Sequence, residues 1–194
     1  MPQEVFLPVA EHGIFTLPPS TPPLPHQLAG LGALAYDLRW AWQSRVQDLF
    51  SEIDPAAWDR SHNPMAVLRN HRGLQEKAKD GDYLDKLAAV MASIEAENAR
   101  PVTTSPRVVY YCAEYGLTTC FPIYSGGLGI LAGDTCKEAS DQALPFMAIG
   151  LFYHRGYFRQ AVDAVGAQQH TDPELDPSSL PMRRVTRKDG KTPL

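Results

Sequence analysis

At 194 residues the chain is long enough for one domain or a domain and a half, and its 44% apolar and 21% charged content is that of an ordinary globular protein. A net charge of -4 gives no electrostatic footprint for nucleic acid or an anionic membrane surface, and no run is apolar enough to span a bilayer. The start, MPQEVFLPVAEHGIF, is no secretory signal, and three cysteines without a CxxC pair argue for reduced thiols in a cytoplasmic protein, against a disulfide frame or a metal site.

Residues 1–24 read as an extended, proline-rich lead-in carrying LPPSTPPLP. Leu28, Leu31, Leu34, Ala35, Leu38 and Trp42 then recur at steps of three and four, which predicts a helix burying that face. Trp40 and Trp42 stand two apart and cannot share it; core packing is expected of Trp42. Asp54-Pro55 and Asn63-Pro64 each read as a cap followed by proline in the first helical position. GDYLDKLAAVMASIEAENAR predicts an amphipathic helix with Tyr83, Leu87, Val90, Met91 and Ile94 inward. Residues 25–100 thus form a helical region.

After PVTTSP the pattern changes. RVVYYCA (107–113) and FMAIGLF (146–152) are short β-branched and aromatic runs, expected as buried strands. Between them lies a helix expected to turn Leu128, Leu131, Ala132, Cys136 and Ala139 inward and to end at Leu144-Pro145. Strand, helix, strand is a βαβ unit, so the two strands should be parallel neighbours and residues 101–194 part of an α/β domain. RRVTRKDGKTPL reads as a strand, an Asp189-Gly190 turn and the start of a return strand. A hairpin cut short, and two strands where a parallel sheet needs more, read as the N-terminal piece of a longer enzyme.

The helix opens on YSGGLGILAGD (124–134). Glycine costs about 1 kcal/mol against alanine inside regular structure, so something must need the bare backbone. Tight turning is the ordinary reason. The spacing is neither the dinucleotide fingerprint nor a Walker loop. Gly126, Gly127 and Gly129 at a helix N-terminus also suit an anion, because exposed N–H groups carry partial positive charge and no side chain blocks approach.

Tyr110 to Gln160, YYCAEYGLTTCFPIYSGGLGILAGDTCKEASDQALPFMAIGLFYHRGYFRQ, resembles the N-terminal domain of the bacterial short-type α-glucan (glycogen) phosphorylases. The shared run is AEYGL, PIYSGGLG, an LAGD helix, SD-x-x-x-P and GYFRQ, and LAYDLRWAWQSRVQDLFSEIDPAAWDRSHNPMAVL upstream is similar to the region that opens those enzymes. The resemblance implies a two-domain, Rossmann-like GT-B fold and phosphorolysis of a terminal α-1,4 bond by orthophosphate, giving α-glucose 1-phosphate. It implies pyridoxal phosphate, acting through its phosphate as a proton relay and held by a lysine outside this chain. It places Gly126, Gly127, Leu128 and Gly129 near the substrate phosphate, assigns no catalytic residue to this chain, and is compatible with a homo-oligomer. One position departs: the family usually has His after LAGD, and Thr135 stands here.

Other residues carry ordinary readings beside functional ones. Glu114, just past the first strand, lies where α/β sites gather, and equally suits a cap or ion pair. Asp134 suits a site or a helix dipole. His154 and Arg155 suit a surface. A starch- or glycogen-synthase-type transferase shares the fold, but its loop begins Lys-Thr/Ser-Gly-Gly, whereas Ile123-Tyr124-Ser125 stand here. A non-catalytic carbohydrate-binding or regulatory module is the third reading.

Overall fold

The computed structural model describes residues 14–16, 22–102, 107–183 and 185–187. Its first part is helical: α1 (Gly30–Tyr36), α2 (Ser44–Ser51), α3 (Pro55–Ser61), α4 (Pro64–Val67), α5 (His71–Lys77) and the long α6 (Gly81–Asn98). The starts follow the caps. Asp54, Asn63, Asn70 and Asp80 each accept a backbone N–H from the helix they precede, and Pro55 and Pro64 occupy the first turn, where no N–H is required.

The helix expected to run through Trp42 is interrupted. Asp37 takes extended backbone after α1, and its carboxylate accepts the Arg39 N–H, which starts a tighter 3-10 turn over Leu38–Ala41. The change of pitch exchanges the tryptophans. Trp40 is fully buried, its Nε1–H donating to the Ala35 carbonyl at 3.2 Å. Trp42, expected in the core, is half-buried and points its Nε1–H at the Asp141 carboxylate.

The core lies among these helices. Phe50 stacks on Trp58 and Trp40 meets Trp58 edge-on, both at 6.1 Å. Leu28, Leu31, Leu34 and Ala35 pack there as their spacing predicts, as do Tyr83, Leu87, Val90 and Ile94 of α6, with Met91 at its edge. Tyr83 donates to the Leu49 carbonyl at 2.9 Å, and burial pushes its phenol pKa up, so this donor stays protonated.

The second part is mixed α/β. Strands β2 (Val108–Tyr111) and β3 (Phe146–Ile149) are adjacent and parallel, Val108 facing Phe146 and Tyr111 facing Ile149, with helix α7 (Gly127–Asp141) between them in sequence. An antiparallel pair follows, β4 (Arg159–Val162) with β5 (Gln168–Thr171). Strand β1 (Ile14–Thr16), within the stretch read as a lead-in, pairs antiparallel with β6 (Val185–Arg187). The Asp189-Gly190 turn lies outside the described residues.

Two burial expectations are corrected. Most residues of β2 and β3 are exposed, Tyr111 at 72%: among the described residues the pair has no third strand at its edge, and α7 leaves most of its surface uncovered. Leu128 and Leu131 of α7, expected inward, are 57% and 65% exposed, and Cys136 is intermediate. Ala132 and Ala139 are buried as expected, and Gly129 and Gly133 complete the inner face in place of the leucines. Small residues bring the helix axis closer to its neighbours than leucines would.

Beyond the β4–β5 hairpin the chain returns to the helices: Leu180 is buried, and the Arg183 guanidinium lies 4.8 Å from the Tyr36 ring centre. Asn63 ties this return down. It is buried, its Oδ1 accepts the Met65 N–H at 2.9 Å, and its Nδ2 donates to the Ser179 carbonyl at 2.8 Å. Asn63→Ala should therefore cost about 2 kcal/mol, one cap plus one buried pairing. Asn63→Asp keeps the cap but sets a carboxylate against a carbonyl, so urea unfolding should show it destabilised too; a wild-type midpoint for Asn63→Asp would rule out the Ser179 contact.

Candidate functional site

The sequence AEYG leaves β2 and builds the floor of the glycine loop. Tyr115 is buried, and its hydroxyl lies 2.7 Å from the Tyr110 carbonyl and 3.2 Å from that of Ile149, stapling the carboxyl ends of β2 and β3. Burial raises its pKa, which keeps the donor proton in place. Gly150 makes room for the ring: a Cβ there would stand 2.7 Å from it. Glu114 reaches across to the loop, its carboxylate accepting the Ser125 hydroxyl at 3.1 Å and the Ser125 N–H at 3.3 Å. Gly116 donates its N–H to the Gly129 carbonyl at 2.7 Å.

The glycines divide into two kinds. None of Gly126, Gly127, Gly129 and Gly133 has positive φ, so backbone strain is not the reason for any of them. A Cβ on Gly129 would lie 2.4 Å from the Tyr124 Cβ, and one on Gly133 would lie 2.4 Å from the Gly116 carbonyl oxygen. Those two are required by packing. A Cβ on Gly126 or Gly127 would meet nothing within 4 Å among the described residues. Neither conformation nor packing demands glycine at these two positions.

These are the residues at the start of α7. Gly126 is the N-cap and provides no side-chain hydrogen bond, and residues 125–128 are exposed. The Gly126 carbonyl accepts the Ile130 N–H at 3.2 Å, so the helix begins here with its first-turn N–H groups directed outward along its axis. Such an end carries about half a positive charge and accommodates an anion. Leu128 contributes backbone only to this opening; its side chain is exposed.

Glu114 thus stands at the loop as its brace. Asp134 does not join it: it is exposed on α7, 3.7 Å from Lys137. Thr135 bonds back to the Leu131 carbonyl at 2.8 Å and takes no part in the helix start. Arg155 pairs with Glu174 at 2.6 Å, with His154 nearby at 4.0 Å, as surface residues do. Sequence reasoning missed Tyr115, Gly116 and Tyr124. The signal was present in AEYG: an aromatic and a glycine at a strand exit, matched by a second glycine one helical turn after Gly129.

A concavity of about 350 Å³ lies elsewhere, among Asp54, Arg60, Ser61, Arg69 and Asn70. Its polar groups are largely committed to structure: Asp54 caps α3, Asn70 caps α5, and the two bond each other at 2.8 Å. We place the candidate site at the glycine loop on chemistry rather than on hollow volume.

Gly133→Ala should lower stability by about 2 kcal/mol or more, the reverse of the gain alanine normally brings within a helix, because the methyl meets a backbone oxygen. Gly127→Ala should leave the melting temperature equal or slightly raised. Thermal unfolding of the pair checks the division; equal losses would show that both glycines are packing residues.

The family model described as "Protein of unknown function (DUF3417)" matches residues 24–121, about half of the chain, which holds α1 to α6, β2 and the AEYG exit and stops short of α7. A glycogen phosphorylase of Mycobacterium tuberculosis is 41% identical over 183 residues, covering 86% of this chain and 21% of the relative. A maltodextrin phosphorylase of Thermococcus litoralis is 40% identical over 87% of this chain and 21% of its own length. A glycogen phosphorylase of Aquifex aeolicus is 35% identical over 84% of this chain and 24% of its own. The chain therefore spans about a fifth to a quarter of the length of these relatives. No solved structure matches. The match across its helical half and strand exit establishes that the chain belongs to the DUF3417 family.

Proposed function

We propose that this chain is the N-terminal part of an α-1,4-glucan phosphorylase, and that Gly126–Gly129 receives the phosphate. The observation that carries the reading is the unblocked N-terminus of α7, with two glycines that packing does not require, in a chain whose relatives bear phosphorylase names. On this reading the reaction breaks the bond between C1 of the terminal glucosyl unit and its glycosidic oxygen. A bond forms from C1 to an oxygen of hydrogen phosphate, and the leaving oxygen takes up the proton that the phosphate gives up. The N–H groups of Gly127, Leu128 and Gly129 hold negative charge on the phosphate with dipoles already in place, so no reorganisation is needed as charge shifts. Glu114 braces the loop through Ser125 and stays out of the chemistry.

The reading extends to architecture. Residues 101–194 would open a Rossmann-like GT-B domain, with residues 25–100 as a helical region before it and 1–24 leading in. The exposed apolar side chains of β2, β3 and α7 support this, since further strands and helices of such a domain would cover them. The enzyme would be cytoplasmic and would take an α-glucan and orthophosphate; among the described residues no helix is long and apolar enough to cross a membrane.

Pyridoxal phosphate, which the reading brings with it, does not fit this chain's described lysines. Lys77 is held charged between Asp80 and Glu52, Lys86 pairs with Glu52, Lys137 with Asp134, and Lys79 stands exposed on the helical surface. The synthase-type reading lacks its loop lysine, since Ile123 and Tyr124 precede Ser125.

The test is glucose 1-phosphate formation from maltodextrin and orthophosphate. The complete protein carrying this chain should release it, and the 194-residue chain alone should not. Gly127→Ala in the complete protein should lower turnover on the order of a hundredfold by obstructing phosphate, with the melting temperature kept. Normal turnover in that variant would reduce the loop to a turn.

A further inference from the structure

Helix α7 has its open, glycine-bearing end at one side and a second, differently built end about 21 Å away at 1.5 Å per residue. That far end closes in a left-handed turn: Leu144 donates to the Ala139 carbonyl at 2.9 Å and Ala143 to that of Ser140 at 3.0 Å, with Ala143 at φ 51°. The Asp141 carbonyl is left over, and α7 has no basic residue in its own last turn. The helical region supplies one. Arg100, just past α6, donates through Nη1 to the Asp141 carbonyl at 2.7 Å and through Nη2 to that of Ser140 at 3.4 Å. Its Nε donates at 3.2 Å to the Glu97 carbonyl at the end of α6, which also lacks a basic residue in its last turn. One guanidinium thus serves the negative ends of two helices. Trp42 adds a second grip on α7, its Nε1–H 3.1 Å and 3.2 Å from the two Asp141 carboxylate oxygens. The turn that aims Trp42 is itself fixed, because Arg39 pairs with Asp37 and with Glu97, and Glu97 also accepts Gln43 and Arg45.

We infer that the helical region is a clamp that sets the position of the phosphate-receiving helix, with Arg100 and Trp42 as positioning residues acting on the glycine loop through α7. The inference rests on the reading of that loop given above. Neither residue touches the loop. Both fix the axial and rotational setting of α7, and a rigid helix transmits a displacement at one end to N–H groups at the other. A shift of a fraction of an ångström matters there, because stabilisation of charge depends on donors already in place.

The test separates the clamp from the activity. In the 194-residue chain, amide hydrogen exchange of α7 is compared with that of α2 and α6 in wild type, Arg100→Ala, Arg100→Lys and Trp42→Phe, the last keeping an aromatic ring, smaller than the indole, and losing the donor. Arg100→Ala and Trp42→Phe should speed α7 exchange about three- to tenfold and leave α2 unchanged, with Arg100→Lys in between. Unchanged α7 exchange overturns the clamp, and equal acceleration in α2 makes Arg100 a general stability residue and overturns it too. In the complete protein, the same variants should raise the KM for orthophosphate or lower kcat by about the same factor. The KM for glucan should hold, with partial rescue by Arg100→Lys. Faster α7 exchange with unaltered phosphate kinetics overturns the positioning role. Failure of the wild-type complete protein to phosphorolyse glucan would instead remove the functional reading, and with it the loop as the clamp's target, while the exchange arm still decides whether the clamp exists.

Discussion

The contact between Gly116 and the first two turns of α7 is made backbone to backbone. The Gly116 N–H meets the Gly129 carbonyl at 2.7 Å, and a Cβ on Gly133 would lie 2.4 Å from the Gly116 oxygen. This separation excludes a side chain at Gly133, leaves a tight 3.1 Å for one at Gly116, and fixes where α7 stands against the exit of β2. The neighbours of Gly116 then have determined tasks. Tyr115 turns inward to join the ends of the two strands, and Glu114 turns toward Ser125. The glycine loop is therefore positioned by its surroundings, and its own first residues are left without a structural duty.

That distribution makes the two ends of α7 unlike. The carboxyl end is closed by its own left-handed turn and by donors from the helical region, at the cost of a non-glycine residue with positive φ. Such a conformation costs roughly 1 kcal/mol for alanine, so surrounding interactions must hold it. The amino end has no side-chain cap. A helix start commonly takes Ser, Thr, Asp or Asn at this place, and those residues do precede α3, α4, α5 and α6 in this same chain. Ser125 stands one residue too early, and its hydroxyl is spent on Glu114. The hydroxyl nearest the cap position is thus directed away from the first N–H groups.

Much of this was legible in the sequence where one local rule operated alone. Asp-Pro and Asn-Pro marked helix starts, a run of threes and fours marked the inner face of α6, and strand, helix, strand implied the parallel pair. The failures came where two rules competed. Trp42 left the core because Asp37 breaks the helix through a side-chain bond to Arg39, and a periodicity count cannot register such a break. Leu128 and Leu131 fit an apolar stripe, but α7 chose its glycine and alanine face because close approach to Gly116 was available. The site itself was half legible. Glycine richness located the loop, but only contacts in the folded chain separate Gly129 and Gly133, which packing requires, from Gly126 and Gly127, which it does not. Asp134 shared the motif without sharing the site, since it lies on the outer side of the helix.

The distribution of burial also says which part of the chain can support the other. The helical region encloses a contiguous core with Trp40, Phe50 and Tyr83 almost wholly buried, whereas the α/β part buries little beyond Tyr115, Phe121, Ala132 and Ala139. A parallel pair with two exposed faces has little apolar burial to offset the entropy of ordering its chain. Its order in this structure must then be borrowed, and the loans are visible: Arg100 and Trp42 at the end of α7, and Asn63 holding the returning chain at Ser179. The direction of dependence follows. Loosening the α/β part should leave the helices folded, whereas loosening the helices removes the partner of α7 and of the return segment together. Placing the stable element first and the weakly buried one against it keeps the glycine loop on a surface that is held in position and still open.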